Sequence, residues 1–228
     1  MPKRVIARGL GPSLATFGVA NALQDPVLQL FSADGLIARN DNWADTDLAA
    51  IAATNLAPQD GREAAVVMTL APGSYTVIES GFQAGEGVGL VEVYDLDSGS
   101  ASTLANISTR GVVQGGDNVM IGGIVVGGSG AGQFVVRALG PSLAAFGIVD
   151  PLPNPVLQLH DSNGTMIALN DDWHDDAEAS QLAALGLAPG NDLEPAILRT
   201  LAPGNYTAIV RSISPSVTGV ALVEIYRE

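Results

Sequence analysis

The sequence predicts an all-β chain built as two tandem jelly-roll-like β-sandwich domains, each with one short helix. The first observation behind this is an internal repeat. Arg8-Gly9-Leu10-Gly11-Pro12-Ser13-Leu14-Ala15 returns as Arg137-Ala138-Leu139-Gly140-Pro141-Ser142-Leu143-Ala144, and Asp25-Pro26-Val27-Leu28-Gln29-Leu30 as Asn154-Pro155-Val156-Leu157-Gln158-Leu159. Leu70-Ala71-Pro72-Gly73-Ser74-Tyr75-Thr76 returns as Leu201-Ala202-Pro203-Gly204-Asn205-Tyr206-Thr207, and Leu90-Val91-Glu92-Val93-Tyr94 as Leu222-Val223-Glu224-Ile225-Tyr226. The offset drifts only from 129 (Arg8 to Arg137) to 132 (Leu90 to Leu222). The second observation is punctuation: 27 Gly and 13 Pro in 228 residues interrupt segments rich in Val, Ile, Leu and Ala, as short strands joined by tight turns require. The third is size. The copies, predicted as 1–101 and 102–228, are each long enough to bury a core.

The second copy carries the fuller pattern, with strands expected at 103–108, 118–126, 133–139, 155–160, 166–170, 194–201, 205–212 and 219–226. Alternation is visible in Tyr206-Thr207-Ala208-Ile209-Val210-Arg211, whereas 119–126 reads as a continuous, doubly buried run. Asn163-Gly164 and Asp34-Gly35 tolerate the positive φ of tight hairpins. Pro203-Gly204 and Pro72-Gly73 fit the centres of type II turns. Asp175 or Asp176 is expected to cap a helix running to Leu185 and stopped by Gly186; Asp45 or Asp47 caps its counterpart through Thr54. Leu182 with Leu185, and Leu48 with Ile51 and Ala52, would lie on the sandwich. Eight strands with a crossover helix make a two-layer sandwich.

The copies are not equally complete. About thirty residues holding two strands precede Phe134, but only Met1 to Arg4 precede Val5. Three explanations stand side by side: upstream strands belong to a longer chain, the 102–132 segment folds back onto the first domain, or a neighbouring molecule donates the strands. A head-to-tail contact that does not close generates a filament. The assembly strand would be Val119, Met120, Ile121, Ile124, Val125 and Val126, a run that is an aggregation hazard when unpaired. Its plainer reading is a central strand of its own domain.

Composition excludes several roles. A net charge of −14 argues against nucleic acid, whose phosphates need a basic face, and against anionic membrane surfaces. No cysteine is present, so there are neither disulfides nor thiolate metal sites. Lys3 is the sole lysine, the one conceivable donor for a Lys–Asn cross-link. Lys3, Arg4 and Arg8 followed by an apolar stretch imitate a signal peptide, but the same segment recurs after Phe134, so it belongs to the fold. Any true signal lies upstream. The longest apolar run, 119–126, falls far short of the roughly 20 residues that span a bilayer as a helix, so no membrane insertion is expected.

Chemistry-bearing side chains concentrate in acidic loops. Asn40-Asp41-Asn42 with Asp45 and Asp47 matches Asn170-Asp171-Asp172 with His174, Asp175 and Asp176. Asp41, Asp45, Asp47, Asp171, Asp172 and Asp175 are hard oxygen ligands of the kind Ca²⁺ takes; the alternative is that Asx side chains satisfy local backbone and cap helices. The spacing is not that of an EF-hand. His174 and His160 without cysteine make a poor zinc set, and Ala44 stands where the second copy has His174. Ser13 and Ser142 in Gly-Pro-Ser-Leu do not form a nucleophile elbow, and the first copy has no histidine for a triad. Both serines are expected at a turn after a strand. Residues 127–132 open no helix and carry no lysine, so they read as a hairpin loop rather than a phosphate loop. Trp43 and Trp173 are expected at core or lid positions rather than as a sugar platform, Tyr75 and Tyr206 as corner residues bonded to backbone, and Arg8 and Arg137 in carboxylate pairs.

Pro155 to Gly164, Ile167 to Asp172 and Leu201 to Thr207 resemble the bacterial pre-peptidase C-terminal domain, a β-sandwich appended to secreted enzymes and surface proteins. The likeness covers about 75 residues of each copy and, since some such modules bind calcium, raises the calcium expectation. Leu104-Ala105-Asn106-Ile107-Ser108-Thr109-Arg110-Gly111, Gly122 to Val126 and Arg137 to Leu143 resemble tandem repeats of large bacterial exported proteins. There the Asn-Ile-Ser-Thr-Arg block opens a unit, and the first copy here lacks it. Both likenesses imply export and a non-catalytic role.

The expected function is therefore a non-catalytic extracellular or cell-surface structural or adhesive module, assembling with itself or other surface proteins through strand complementation. The alternative is a carbohydrate- or calcium-binding accessory module of a secreted hydrolase. A catalytic centre seldom needs to occur twice, and no nucleophile–base pair or cofactor loop can be assembled.

Overall fold

The computed structural model describes residues 1–97, 104, 106–116 and 118–228 and divides into two units, Met1–Leu104 and Ala105–Glu228. The boundary predicted between 101 and 102, and the strand start predicted at 103, lie outside the described residues.

The first unit contains β1 (Lys3–Leu10), β2 (Pro26–Ser32), β3 (Gly35–Asn40), α1 (Leu48–Ala52), β4 (Ala64–Leu70), β5 (Thr76–Gly81) and β6 (Leu90–Asp95). They form two three-stranded sheets, β4-β1-β6 and β3-β2-β5. The second unit contains β7 (Asn106–Val113), β8 (Met120–Val126), β9 (Gly132–Leu139), β10 (Pro155–His160), β11 (Met166–Asn170), α2 (Ala179–Ala184), β12 (Ala196–Leu201), β13 (Gly204–Ser212) and β14 (Gly219–Arg227). Its sheets are four-stranded, β12-β9-β14-β7 and β11-β10-β13-β8, with antiparallel neighbours throughout. Eight strands exchanged in this way between two layers make a jelly-roll sandwich. β1 to β6 reproduce β9 to β14 strand for strand: Leu28 faces Glu79 across β2–β5 as Leu157 faces Val210 across β10–β13. What the first unit lacks, among the described residues, is a counterpart of β7 and β8.

The core of the second unit lies between its sheets. Leu157, Leu159, Ile197, Val210, Val223 and Ile225 meet Val113, Met120, Ile124 and Val126 from β7 and β8 there. Each buried side chain of this size contributes about 1.5–3 kcal/mol. A smaller cluster packs Leu182 of α2 on Val135, Ala196 and Leu198, across the outer face of the other sheet; Ile51 of α1 does the same on Ile6 and Ala65. Between the sheets of the first unit the core cluster is smaller: Ala7, Leu28 and Ala64 are buried, with Val66, Val77 and Val93 only partly buried.

Several expectations need correction. The 119–126 run is neither doubly buried nor central. Met120, Gly122, Ile124 and Val126 point inward while Ile121 and Val125 are exposed, and β8 is an edge strand paired only with β13. The 102–132 segment does not fold back onto the first unit, since β7 and β8 pair with β14 and β13. Residues 127–132 are not a hairpin loop but cross from one sheet to the other, because β8 and β9 lie in different layers. Asp47 does occupy the N-cap of α1, but at φ 53 and with no capping hydrogen bond. The N-cap of α2 is Glu178, while Asp175 sits in a preceding 3-10 turn. Only Leu182 and Ile51 are buried beneath the helices; Leu48, Ala52 and Leu185 face outward. Gly73 lies outside the positive-φ region and Gly204 has a φ of 157, so neither Pro-Gly pair has type II geometry.

Candidate functional site

Repeated polar motifs turn out to hold the fold. In each copy the strand entering the Gly-Pro-Ser turn ends against a buried glutamate. Glu63 Oε1 accepts hydrogen bonds from the backbone N–H groups of Gly11 and Ser13 and from the Ser13 hydroxyl. Glu194 likewise receives Gly140 N–H, Ser142 N–H and the Ser142 hydroxyl. Both glutamates are fully buried. Sequence reasoning passed over them, although an acid at the same place before β4 and before β12 was a legible signal. The preceding glycine is obligatory, because a Cβ on Gly140 would stand 2.1 Å from the Leu152 carbonyl oxygen. Ser13 and Ser142 therefore follow the strand at the start of a 3-10 turn, as expected.

The arginines pair as predicted. Arg137 Nε donates to Glu224 at 2.6 Å and Nη1 to the Leu187 carbonyl, while the Tyr226 hydroxyl donates to the same glutamate at 2.9 Å. Arg8, Glu92, Leu56 and Tyr94 repeat this arrangement. Burial, then the neighbouring glutamate, holds both phenols above their ordinary pKa. Tyr75 and Tyr206 donate to the Ala71 and Ala202 carbonyls, the corner role expected. Trp43 and Trp173 pack on the outer hydrophobic clusters, each with a buried Nε1 lacking a hydrogen-bond partner among the described residues.

The acidic loops are bracketed by two buried asparagines. Asn40 donates to the Asn42 carbonyl and accepts from Ala65 N–H; Asn170 does the same with Asp172 and Ala196. Asp45 accepts from Asn42, and His174 lies 3.0 Å from Asp192. The Asp172 carboxyl is pushed up, first by burial and then by Asp171, Asp175 and Asp192. Of the predicted ligands, Asp171 and Asp175 lie near enough to Asp172 to act on its titration, although among the described residues no three His, Cys, Asp or Glu side chains form a group able to hold an ion.

The copies differ on one side of the sandwich. Among the described residues β5 pairs only with β2, and β6 only with β1, whereas β13 and β14 are covered by β8 and β7. Inward positions record the consequence. Ala208, Val210 and Ala221 are 0% exposed; their counterparts Val77 and Glu79 are half-buried and Gly89 is exposed. Ile78, Val88 and Leu90, which alternate with these inward positions, are exposed on the outer faces. Among the described residues the first sandwich thus has two unpaired strand edges where the second is closed.

Glu79 sits at one of these edges, on β5, with a buried Oε1 that has no hydrogen-bond partner among the described residues. Burial pushes its carboxyl up to about 8, and the charge of Glu63 adds to the shift. Unfolded, the group titrates near 4.5. The folded state thus holds the proton more tightly, so the contribution is fully present below about pH 4.5 and is lost as the pH rises toward 8. The first unit is expected to lose up to about 1.4 kcal/mol of stability per pH unit in this window through Glu79. Urea denaturation of wild type and Glu79→Gln across that range checks it, the variant giving the flatter profile.

No family model and no curated protein matches the chain. Among solved structures, the chain is similar to the pre-peptidase C-terminal domain of collagenase from Bacillus anthracis, at 16% identity and a TM-score of 0.32, over 54% of this chain and 90% of that one. It is also similar to the major capsid protein P2 of bacteriophage PM2, at 10% identity and a TM-score of 0.26, over 100% of this chain and 88% of that one. A third similarity is to the VP2 subviral particle of infectious bursal disease virus, at 9% identity and a TM-score of 0.25, over 98% and 56%.

Proposed function

We propose that this chain is a non-catalytic structural or adhesive module of the bacterial exterior whose first sandwich receives a pair of strands, one for each sheet, from outside itself. One observation carries the reading: among the described residues β5 and β6 have no neighbour on the side where β8 and β7 close the second unit. Backbone edges would supply affinity and alternate side chains specificity, as in other strand additions. The arithmetic of self-assembly is informative. Among the described residues one β7–β8 strand pair, with a strand for each sheet, is set against two such units, so a copy donating β7–β8 to the next opens its own second unit. A further strand pair, from another repeat or surface protein, is what joins modules head to tail.

A synthetic peptide spanning residues 105–127 or a close variant of it, titrated onto the full chain, should bind one to one and slow hydrogen exchange along β5 and β6. No protection at those strands with any variant of the peptide would defeat the proposal. The second reading, a calcium-binding accessory module, is favoured by the like-charge crowding of Asp172. A calcium-dependent rise in melting temperature, absent in Asp172→Asn, is its expected signature.

A further inference from the structure

The second unit shows what side chains the slot would meet, and at one place the first unit refuses them. Val210, inward on β13, lies between Leu157 on β10 and Met120 on β8. Its counterpart Glu79 lies opposite Leu28 on β2, with the free edge of β5 on its other side. A strand pair docked in the register of the second unit would therefore set its Met120 position directly beside Glu79. The carboxyl group is given room by two glycines. Gly9 and Gly89 stand where the second copy has Ala138 and Ala221, and a methyl group there would stand 3.0 Å from Glu79 Oε1 and 2.2 Å from Oε2. The copies thus differ at three adjoining positions, Val with two Ala in the second and Glu with two Gly in the first. Closing apolar strands over this carboxyl buries a polar group without a partner, which disfavours their docking.

We propose that the strand pair received by the first sandwich carries a basic side chain at the position of Met120, and that Glu79 selects for it and against the chain's own β7–β8. This rests on the docking reading above and names its partner. A lysine or arginine at that place completes a charge-assisted hydrogen bond to Oε1. It also accounts for the allocation of β7–β8, which close the unit whose slot is apolar.

Two peptides of residues 105–127, one with Met120 and one with Met120→Lys, are titrated onto the full-length wild type, Glu79→Val and Glu79→Gln. The wild type should bind the lysine peptide at least about tenfold more tightly than the methionine peptide, a difference of about 1.4 kcal/mol. Glu79→Val should reverse the order, and Glu79→Gln should abolish most of the lysine preference while keeping side-chain size. Equal discrimination by wild type and Glu79→Val overturns the selectivity and leaves strand docking standing. Failure of both peptides to bind any of the three chains overturns both.

Discussion

Glu194→Ala is expected to destabilise the second unit by about 3–5 kcal/mol, because it strands two buried backbone donors at once. Gly140 N–H and Ser142 N–H point at Glu194 Oε1 from 2.9 and 2.8 Å, and a Cβ at Gly140 would stand 2.1 Å from the Leu152 carbonyl oxygen, so the turn cannot take a side chain there. Truncation removes the acceptor and leaves the donors in place. Glu194→Gln keeps a carbonyl oxygen for both amides and lets the Ser142 hydroxyl reverse its role, so it should cost only about 1 kcal/mol. Urea denaturation of the two variants separates the explanations: similar losses would show that charge, rather than acceptor geometry, is what the site needs.

Val210→Glu should weaken the second unit by a comparable amount at neutral pH, since it places the carboxylate of the first unit into a slot already closed by Met120. Val210 is 0% exposed, and a carboxyl group there, ionised or protonated, has no route to solvent that does not displace β8. The loss is about 3–5 kcal/mol, with hydrogen-exchange protection falling first along β7 and β8. Adding Ala138→Gly and Ala221→Gly should recover part of it by recreating the room that Gly9 and Gly89 provide. Unchanged protection of β8 in Val210→Glu would mean that the carboxylate escapes the slot and that Glu79 has no leverage over a docked strand pair.

Much of this architecture was legible in the residues. The twofold repeat predicted the sandwich pair and the deficit of two strands, and the Arg, Tyr and Gly-Pro-Ser motifs behaved as structural parts. What escaped had physical causes. In Met120-Ile121-Gly122-Gly123-Ile124-Val125-Val126 two glycines mask alternation, and Ile121 and Val125 are apolar although exposed; an edge strand then reads as a central one. Glu63 and Glu194 recur at matching places, but their role was overlooked because the amides that converge on each come from some fifty residues away. Glu79 was hidden for the opposite reason. Its significance appears only when register sets it against Val210.

The order in which strands leave the ribosome gives the occupied slot a last consequence. β7 and β8 are made immediately after β6, while their destined neighbours β13 and β14 are the final strands synthesised. For most of that interval the only finished edges within reach belong to the domain already folded, since domains mature from the N-terminus as they emerge. A lone carboxylate facing those edges makes them a poor resting place for a methionine-bearing nascent strand, keeping it free until its own sheet arrives.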